Sequence, residues 1–300
     1  MAKVKIRCPT CNQEGKIEIK EETLDKITRG VIAINVAPSI VCEHSFIAYI
    51  DKNLAVRDYF TADFQIELPE MSSKAFPGDT TLPSKEVINL DLIKLNLPAS
   101  LLTYVLRAIF MRKKALILLE ETFLKTHIEN FFLYITKDSF ETDIEILTKQ
   151  EYKKNKKAYK DALILQETKV VKNPYKNLNL NKLKIEKQII NQFLSEIDLN
   201  LSYIHLKNEI YKAYKLANEI VDYVNEKGGE LKVQTEDKPS GSLLSNILDE
   251  VLDKRKYLHK IFTKVLNKRF DIKIQTNYLD FLFEIINQYF DIDLKKRVKA

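Results

Sequence analysis

The chain has 300 residues, 45% of them hydrophobic and 30% charged, a balance that buries the cores of two or three domains and excludes a disordered chain. Its net charge of +6 does not come from the amino-terminal part, because residues 1–68 carry nine Lys/Arg against ten Asp/Glu, which argues against a phosphate grip there. No basic leader with an apolar core opens the sequence, and the longest apolar segment, residues 97–111, holds Pro98 and Arg107 and falls short of the roughly 18 residues of a membrane span, so a cytoplasmic location is expected.

Residues 3–7 alternate into a turn at Cys8, and Lys16-Ile17-Glu18-Ile19-Lys20-Glu21 alternates again, so Cys8-Pro9-Thr10-Cys11 is expected to join two half-buried strands. Residues 31–34, 40–42, 46–50 and 59–68 read as further strand pieces, with Asp51-Lys52-Asn53 as a turn. Residues 1–69 are thus read as a small β module. From Pro69 to Ser84 the chain holds Ser72, Ser73, Pro77, Gly78, Asp79 and Pro83, a composition that breaks both periodicities and marks a linker.

All three cysteines, Cys8, Cys11 and Cys42, fall within this module, and His44 follows two positions after the last. In a reducing compartment an odd, clustered count suits metal ligands better than disulfides. One C-x-x-C turn and a C-x-H pair from a distant segment supply the four ligands that Zn²⁺ takes tetrahedrally, and a closed set leaves no open position for catalysis. A structural zinc on Cys8, Cys11, Cys42 and His44 is therefore expected. A redox role for C-P-x-C requires a helix directly after Cys11, where this sequence reads as a strand. The stretch C-P-T-C-N-Q-E-G with the later V-C-E-H-S-F-I-A-Y-I-D-K-N resembles the zinc-ribbon class of metal-binding modules, and also N-terminal segments of uncharacterised archaeal proteins. The resemblance covers about a fifth of the chain, departs from the common ribbon in its C-x-H pair, and implies metal binding without a reaction.

Farther along, Leu101, Leu102, Val105, Leu106, Ile109 and Phe110 recur at helical spacing, residues 115–119 form a continuous apolar run, and residues 123–135 are helical again. Residues 144–147 read as a strand, 149–160 as a helix and 162–165 as a strand. Residues 85–175 are accordingly expected to be a small α/β domain, β-α-β-α-β with parallel pairing. After Asn173-Pro174-Tyr175 everything reads as helix: apolar faces from Leu183 to Ile197, from Tyr203 to Val224 and, beyond a break at residues 226–242, from Leu244 to Leu266. A last segment, residues 277–290, is apolar on most of its circumference. Residues 176–300 are expected to form a helical bundle or hairpin, and the whole an α+β multidomain protein.

Lys149, Lys153, Lys156 and Lys160 recur at i, i+4, i+7 and i+11 and would line one helix face, suited to phosphates or an acidic partner; the plainer account is the solvated face of a crossover helix. No glycine-rich turn follows residues 115–119, and no Walker lysine, G-x-S-x-G or H-E-x-x-H motif occurs. His205-Leu206-Lys207 lacks the later aspartate of H-x-K phosphodiesterases, and Asp143-x-Glu145 reads as the exposed face of a strand. His127 and His259 read as packing histidines. Arg255, on an apolar stripe, is expected to snorkel or to pair with a carboxylate such as Asp222. The leading reading is a non-enzymatic interaction or scaffold protein with a structural zinc, binding a protein partner or a second copy through its C-terminal helices. A nucleic-acid-associated protein using Lys149–Lys160 stands second. Third is a hydrolase with its site at the strand ends, near Glu120, Thr148 and Gln166.

Overall fold

The computed structural model describes residues 2–20, 31–61, 68–71, 81–175, 178, 182–232 and 248–299. The fold is mixed α+β, and the chain divides into two compact units, residues 1–66 with 78–210, and residues 67–77 with 211–300.

The first unit opens with a hairpin of β1 (Ala2–Arg7) and β2 (Glu14–Ile19), paired antiparallel with Ala2 opposite Ile19. Side chains alternate across a strand, so Val4, Ile6, Ile17 and Ile19 are buried on one face, while Lys3 and Lys5 meet Glu18 and Glu14 on the other. β3 (Val31–Val36), β4 (Phe46–Asp51) and β5 (Val56–Thr61) form an antiparallel sheet with β4 in the middle. Phe46, Ala48 and Ile50 of β4 join the hairpin residues in one core. On its other face Tyr49 is buried too. The strand expected over residues 40–42 is instead a turn: Ser39 takes φ +72°, its N–H donates to Cys42 O at 2.7 Å, and Ile40 is exposed. Three apolar residues do not hold a strand against a turn that brings Cys42 back to the hairpin. The continuation of the last strand through residues 62–67, and most of the linker, lie outside the described residues.

Two helices follow, α1 (Leu90–Asn96) and α2 (Ala99–Phe110). They bend by 106° at Leu97-Pro98, and α2 is buried along almost its whole length. Among the described residues, no single helix is long and apolar enough to cross a membrane. β6 (Ala115–Leu118), α3 (Lys125–Ile135), β7 (Ile144–Leu147), α4 (Lys149–Asn155), β8 (Leu163–Gln166) and β9 (Lys169–Lys172) then build a sheet in the order β7-β6-β8-β9. β7, β6 and β8 are parallel, as expected, and β9 is an antiparallel edge strand. β9 is too short, as Lys-Val-Val-Lys, to announce itself in the sequence. β6 is buried at all four positions because strands flank it and helices cover it.

The helix expected over residues 149–160 is shorter. α4 stops at Asn155, and a 3₁₀ turn over Lys156–Tyr159 replaces its last stretch, so Tyr159 packs with Leu116 and Ile164 while its hydroxyl donates to Glu145 Oε2 at 2.7 Å. Burying that ring outweighs one more α turn. Glu145 is therefore half-buried, and Lys114 is its second partner. α5 (Lys184–Ser195) lies against α2 and the β3–β5 sheet. Buried Arg107 and Glu186 pair at 2.8 Å, Tyr49 donates to Asn191 Oδ1 at 2.9 Å, and Lys187 donates to Thr61 Oγ1 at 3.1 Å.

α6 (Leu199–Glu226) begins in the first unit and continues into the second. The second unit also holds α7 (Leu248–Phe270), α8 (Thr276–Gln288) and a single turn, α9 (Leu294–Arg297). Its segments are not all helical: β10 (Leu231–Lys232) and β11 (Val298–Lys299) pair in parallel. Leu244 and Ile247 lie outside the described residues. Phe262, Leu266, Tyr278, Leu282, Ile285 and Ile286 are buried in this unit. Arg255 pairs with Asp280 rather than Asp222, which accepts from Asn218; Asp280 also meets His259 Nε2 at 2.9 Å, and the imidazole stacks on Phe283.

Candidate metal centre and crevice

Ligand atoms of Cys8, Cys11, Cys42 and His44 all lie within 4.8 Å of one another. The turn between β1 and β2 presents the first pair. Cys8 N–H donates to Gln13 O at 2.8 Å, Asn12 N–H to Cys8 O at 3.0 Å with Asn12 at φ +63°, and Thr10 N–H to Cys8 Sγ at 3.4 Å. The loop between β3 and β4 brings in the second pair, with Cys42 Sγ and His44 Nδ1 3.6 Å apart. Gly15 makes the approach possible, because a Cβ there would stand 2.8 Å from Val41 Cγ2. Cys8 is fully buried, Cys42 and His44 half-buried, and Cys11 exposed.

Burial opposes ionisation of Cys8, yet the N–H groups of Cys11 and Thr10, helped by the other two thiols, bring it down to about 7. Burial pushes the Cys42 thiol up to about 11, and the neighbouring thiols add to the rise. Three thiols this close cannot all ionise by themselves, whereas a divalent cation favours the thiolate of each. Metal–sulfur bonds of about 2.3 Å set tetrahedral ligand atoms about 3.8 Å apart, a spacing the cluster reaches with small movements. The four residues fit a metal site.

A cavity of about 360 Å³ opens at the carboxyl ends of β6 and β8. Its position follows from topology. The chain leaves β6 for its neighbour on one side, β7, then crosses back to β8 on the other, and right-handed crossovers in opposite directions put α3 and α4 on opposite faces. The connections part between the ends of β6 and β8, which is where open α/β sheets bind ligands. Ile117 to Glu121 and Gln166 to Thr168 form its floor and one rim; Val31, Tyr49, Arg57 and Asp58 from β3–β5, and Lys94 to Ala99 around the α1–α2 bend, close the other side.

Most charged groups in the lining already have work. Asp58 Oδ2 accepts the Ser100 N–H at 2.9 Å and so caps α2; burial raises its carboxyl above the usual range, against those N–H bonds. Glu120 Oε1 accepts Lys149 N–H at 3.3 Å at the start of α4, which also has a capping box, Thr148 Oγ1 accepting from Glu151 N–H and Glu151 Oε2 accepting from Thr148 N–H. Arg57 Nε donates to Asp51 Oδ2 at 2.6 Å. Lys94 donates to Glu196 O at 2.6 Å above the Phe193 ring, and burial brings its amine down to about 8. At the rim Glu167 occupies a two-residue turn at φ +50°, a left-handed conformation that favours glycine.

Of the strand-end residues singled out in the sequence, Glu120 and Gln166 line the cavity and Thr148 stands beside it as the α4 cap. Lys149, Lys153, Lys156 and Lys160 are all exposed, but only Lys149 lines the crevice, and the 3₁₀ turn takes Lys156 and Lys160 off a common α-helical face. His127 packs with its Nδ1 3.3 Å from Val87 O. Sequence reasoning missed Asp58, Lys94 and Glu167. The first two were hidden because their neighbours in space are distant in the chain. No protein-family model, curated protein or solved structure matches this chain.

Proposed function

We propose that this chain is a small-molecule-binding protein whose ligand sits in the crevice at the carboxyl ends of β6 and β8, and whose amino-terminal strands are held by a structural zinc ion. The observation that carries the reading is the place of the cavity: it stands where the sheet order reverses, with polar groups converging from five segments of the first unit. Three thiolates and an imidazole, a soft and borderline donor set, favour zinc, and four protein ligands leave it no coordination position for chemistry. The zinc-ribbon resemblance of the sequence agrees with this assignment.

The lining of the crevice bears on the readings left open by the sequence. Among the described residues it contains no serine, cysteine or histidine, so a Ser–His or Cys–His pair is not among them, and the reading is binding rather than hydrolysis by such a pair. The interaction reading leaned on the apolar circumference of α8, whose Tyr278, Leu282 and Ile286 are buried in the second unit. The test is thermal unfolding of the zinc-loaded chain against a chemically mixed small-molecule library, alongside Thr168→Trp, which fills the crevice mouth from an exposed turn. Compounds that raise Tm in the wild type are expected to lose that effect in Thr168→Trp. A library without such compounds counts against the proposal.

A further inference from the structure

We infer that the crevice takes a small cationic ligand, one presenting an ammonium or guanidinium group, and rejects phosphates; the inference rests on the crevice being a ligand site. Anion sites in α/β folds rely on helix N-termini whose N–H groups are free to meet a phosphate. Two helix N-termini open on this crevice, those of α2 and α4, and at each a carboxylate of the chain already accepts an N–H, Asp58 from Ser100 and Glu120 from Lys149. The turn after β6 is Leu119-Glu120-Glu121, with side chains where a phosphate cradle needs bare backbone.

The cations are committed in the same way. Arg57 is held by Asp51, and Lys94 is held by Glu196 O over an aromatic face, which leaves Lys149 as the one lining cation without a side-chain partner among the described residues. The acceptors are the groups left over. The Glu121 carboxylate has no hydrogen bond or ion pair among the described residues, the Glu167 carboxylate meets only the Gln166 amide at 3.3 Å, and both residues are exposed at the rim. The last turn of α1, residues 94–96, lines the opposite wall, and the last turn of a helix is its carbonyl end, favourable to cations. Four carboxylates stand in the lining against three cations on a chain whose net charge is +6, so the crevice runs against the charge of the molecule around it. A ligand that donates hydrogen bonds and carries positive charge finds two carboxylates there, whereas one that accepts them finds only Lys149 uncommitted among the lining cations.

The test is calorimetric titration of the full, zinc-loaded chain with agmatine and putrescine on one side and ADP and pyrophosphate on the other. It is repeated with Thr168→Trp and with the exposed, isosteric double variant Glu121→Gln/Glu167→Gln, after circular dichroism shows each folded. The expected result is binding of a cationic probe, weakened about tenfold in the double variant, abolished in Thr168→Trp and reduced by added salt. Binding of ADP or pyrophosphate that Thr168→Trp abolishes would overturn the cationic inference and leave the crevice a ligand site. Cationic binding that survives Thr168→Trp also overturns it, because the probe then sits elsewhere. If no probe binds and the library yields no crevice-dependent compound, the ligand-site reading falls with it.

Discussion

Gly15 is where the two halves of the metal site touch. Its missing Cβ admits the Val41 side chain, one residue before Cys42, so Gly15→Ala should push Cys42 and His44 outward without removing any of the four side chains. Overpacking of this kind costs about 1–3 kcal/mol, and metal affinity measured by chelator competition should fall by roughly one to two powers of ten. Val41→Ala in the same chain should restore most of it; no rescue would mean that the contact does not set the ligand spacing. Lys94 gives a second residue-level test. Its amine stands at about 8 in the folded chain against 10.5 when unperturbed, because burial disfavours the ammonium form, so between these values the unfolded chain binds more protons. Wild-type stability relative to Lys94→Met should therefore rise from about pH 8 to pH 10.5 and be flat below, by on the order of 2–3 kcal/mol in urea unfolding. A fall in wild-type stability relative to Lys94→Met over that window would show that the bond to Glu196 O holds the charge instead. The Cys/His cluster was legible at this scale because thiols and imidazole are rare and their spacing carries chemistry. Asp58, an aspartate among strand residues, offered no such signal.

At the scale of elements, legibility tracked length and periodicity. β6 and the helices at residues 99–110, 184–195 and 199–226 stood out because their apolar positions recur over several turns or fill a whole strand. The segments that differed are short, and tertiary contacts decide them: Tyr159 turns the end of α4 into a 3₁₀ turn, Cys42 draws residues 40–42 into a turn, and β9, β10 and β11 hold two to four residues each. The circumferential apolarity of α8 was ambiguous in the sequence between core and docking face, and burial decides for core over Tyr278, Leu279, Phe281, Leu282, Ile285 and Ile286. Leu282→Ala should consequently cost about 2–5 kcal/mol in denaturant unfolding and leave the mass measured by light scattering unchanged. A variant that kept its stability and changed its mass would assign Leu282 to an interface between chains.

Viewed whole, both candidate sites, the Cys/His cluster and the crevice, lie in the first unit. Local patterns brought out the two layers of that unit separately, a β module and an α/β sheet. The β module is tied to α5 and α2 by packing and by polar contacts between residues far apart in the chain, Tyr49 with Asn191, Asp58 with Ser100 and Lys187 with Thr61, at sequence separations of 142, 42 and 126 residues. No periodicity encodes such pairs, and the crevice between the layers was for that reason legible only as a position at the strand ends.

The crevice and the Cys/His cluster share one sheet. Val31, Tyr49, Arg57 and Asp58, four of its walls' residues, belong to the same three-stranded sheet whose β3–β4 loop carries Cys42 and His44. If a metal that fixes this loop and a ligand that rests on this sheet draw on one conformational equilibrium, linkage requires each to change the other's affinity by the same factor. Chelation should weaken crevice binding, and saturating ligand should slow metal loss to a chelator; equal factors from the two titrations would establish the metal centre as an effector of the crevice, and no effect in either would make it a local brace.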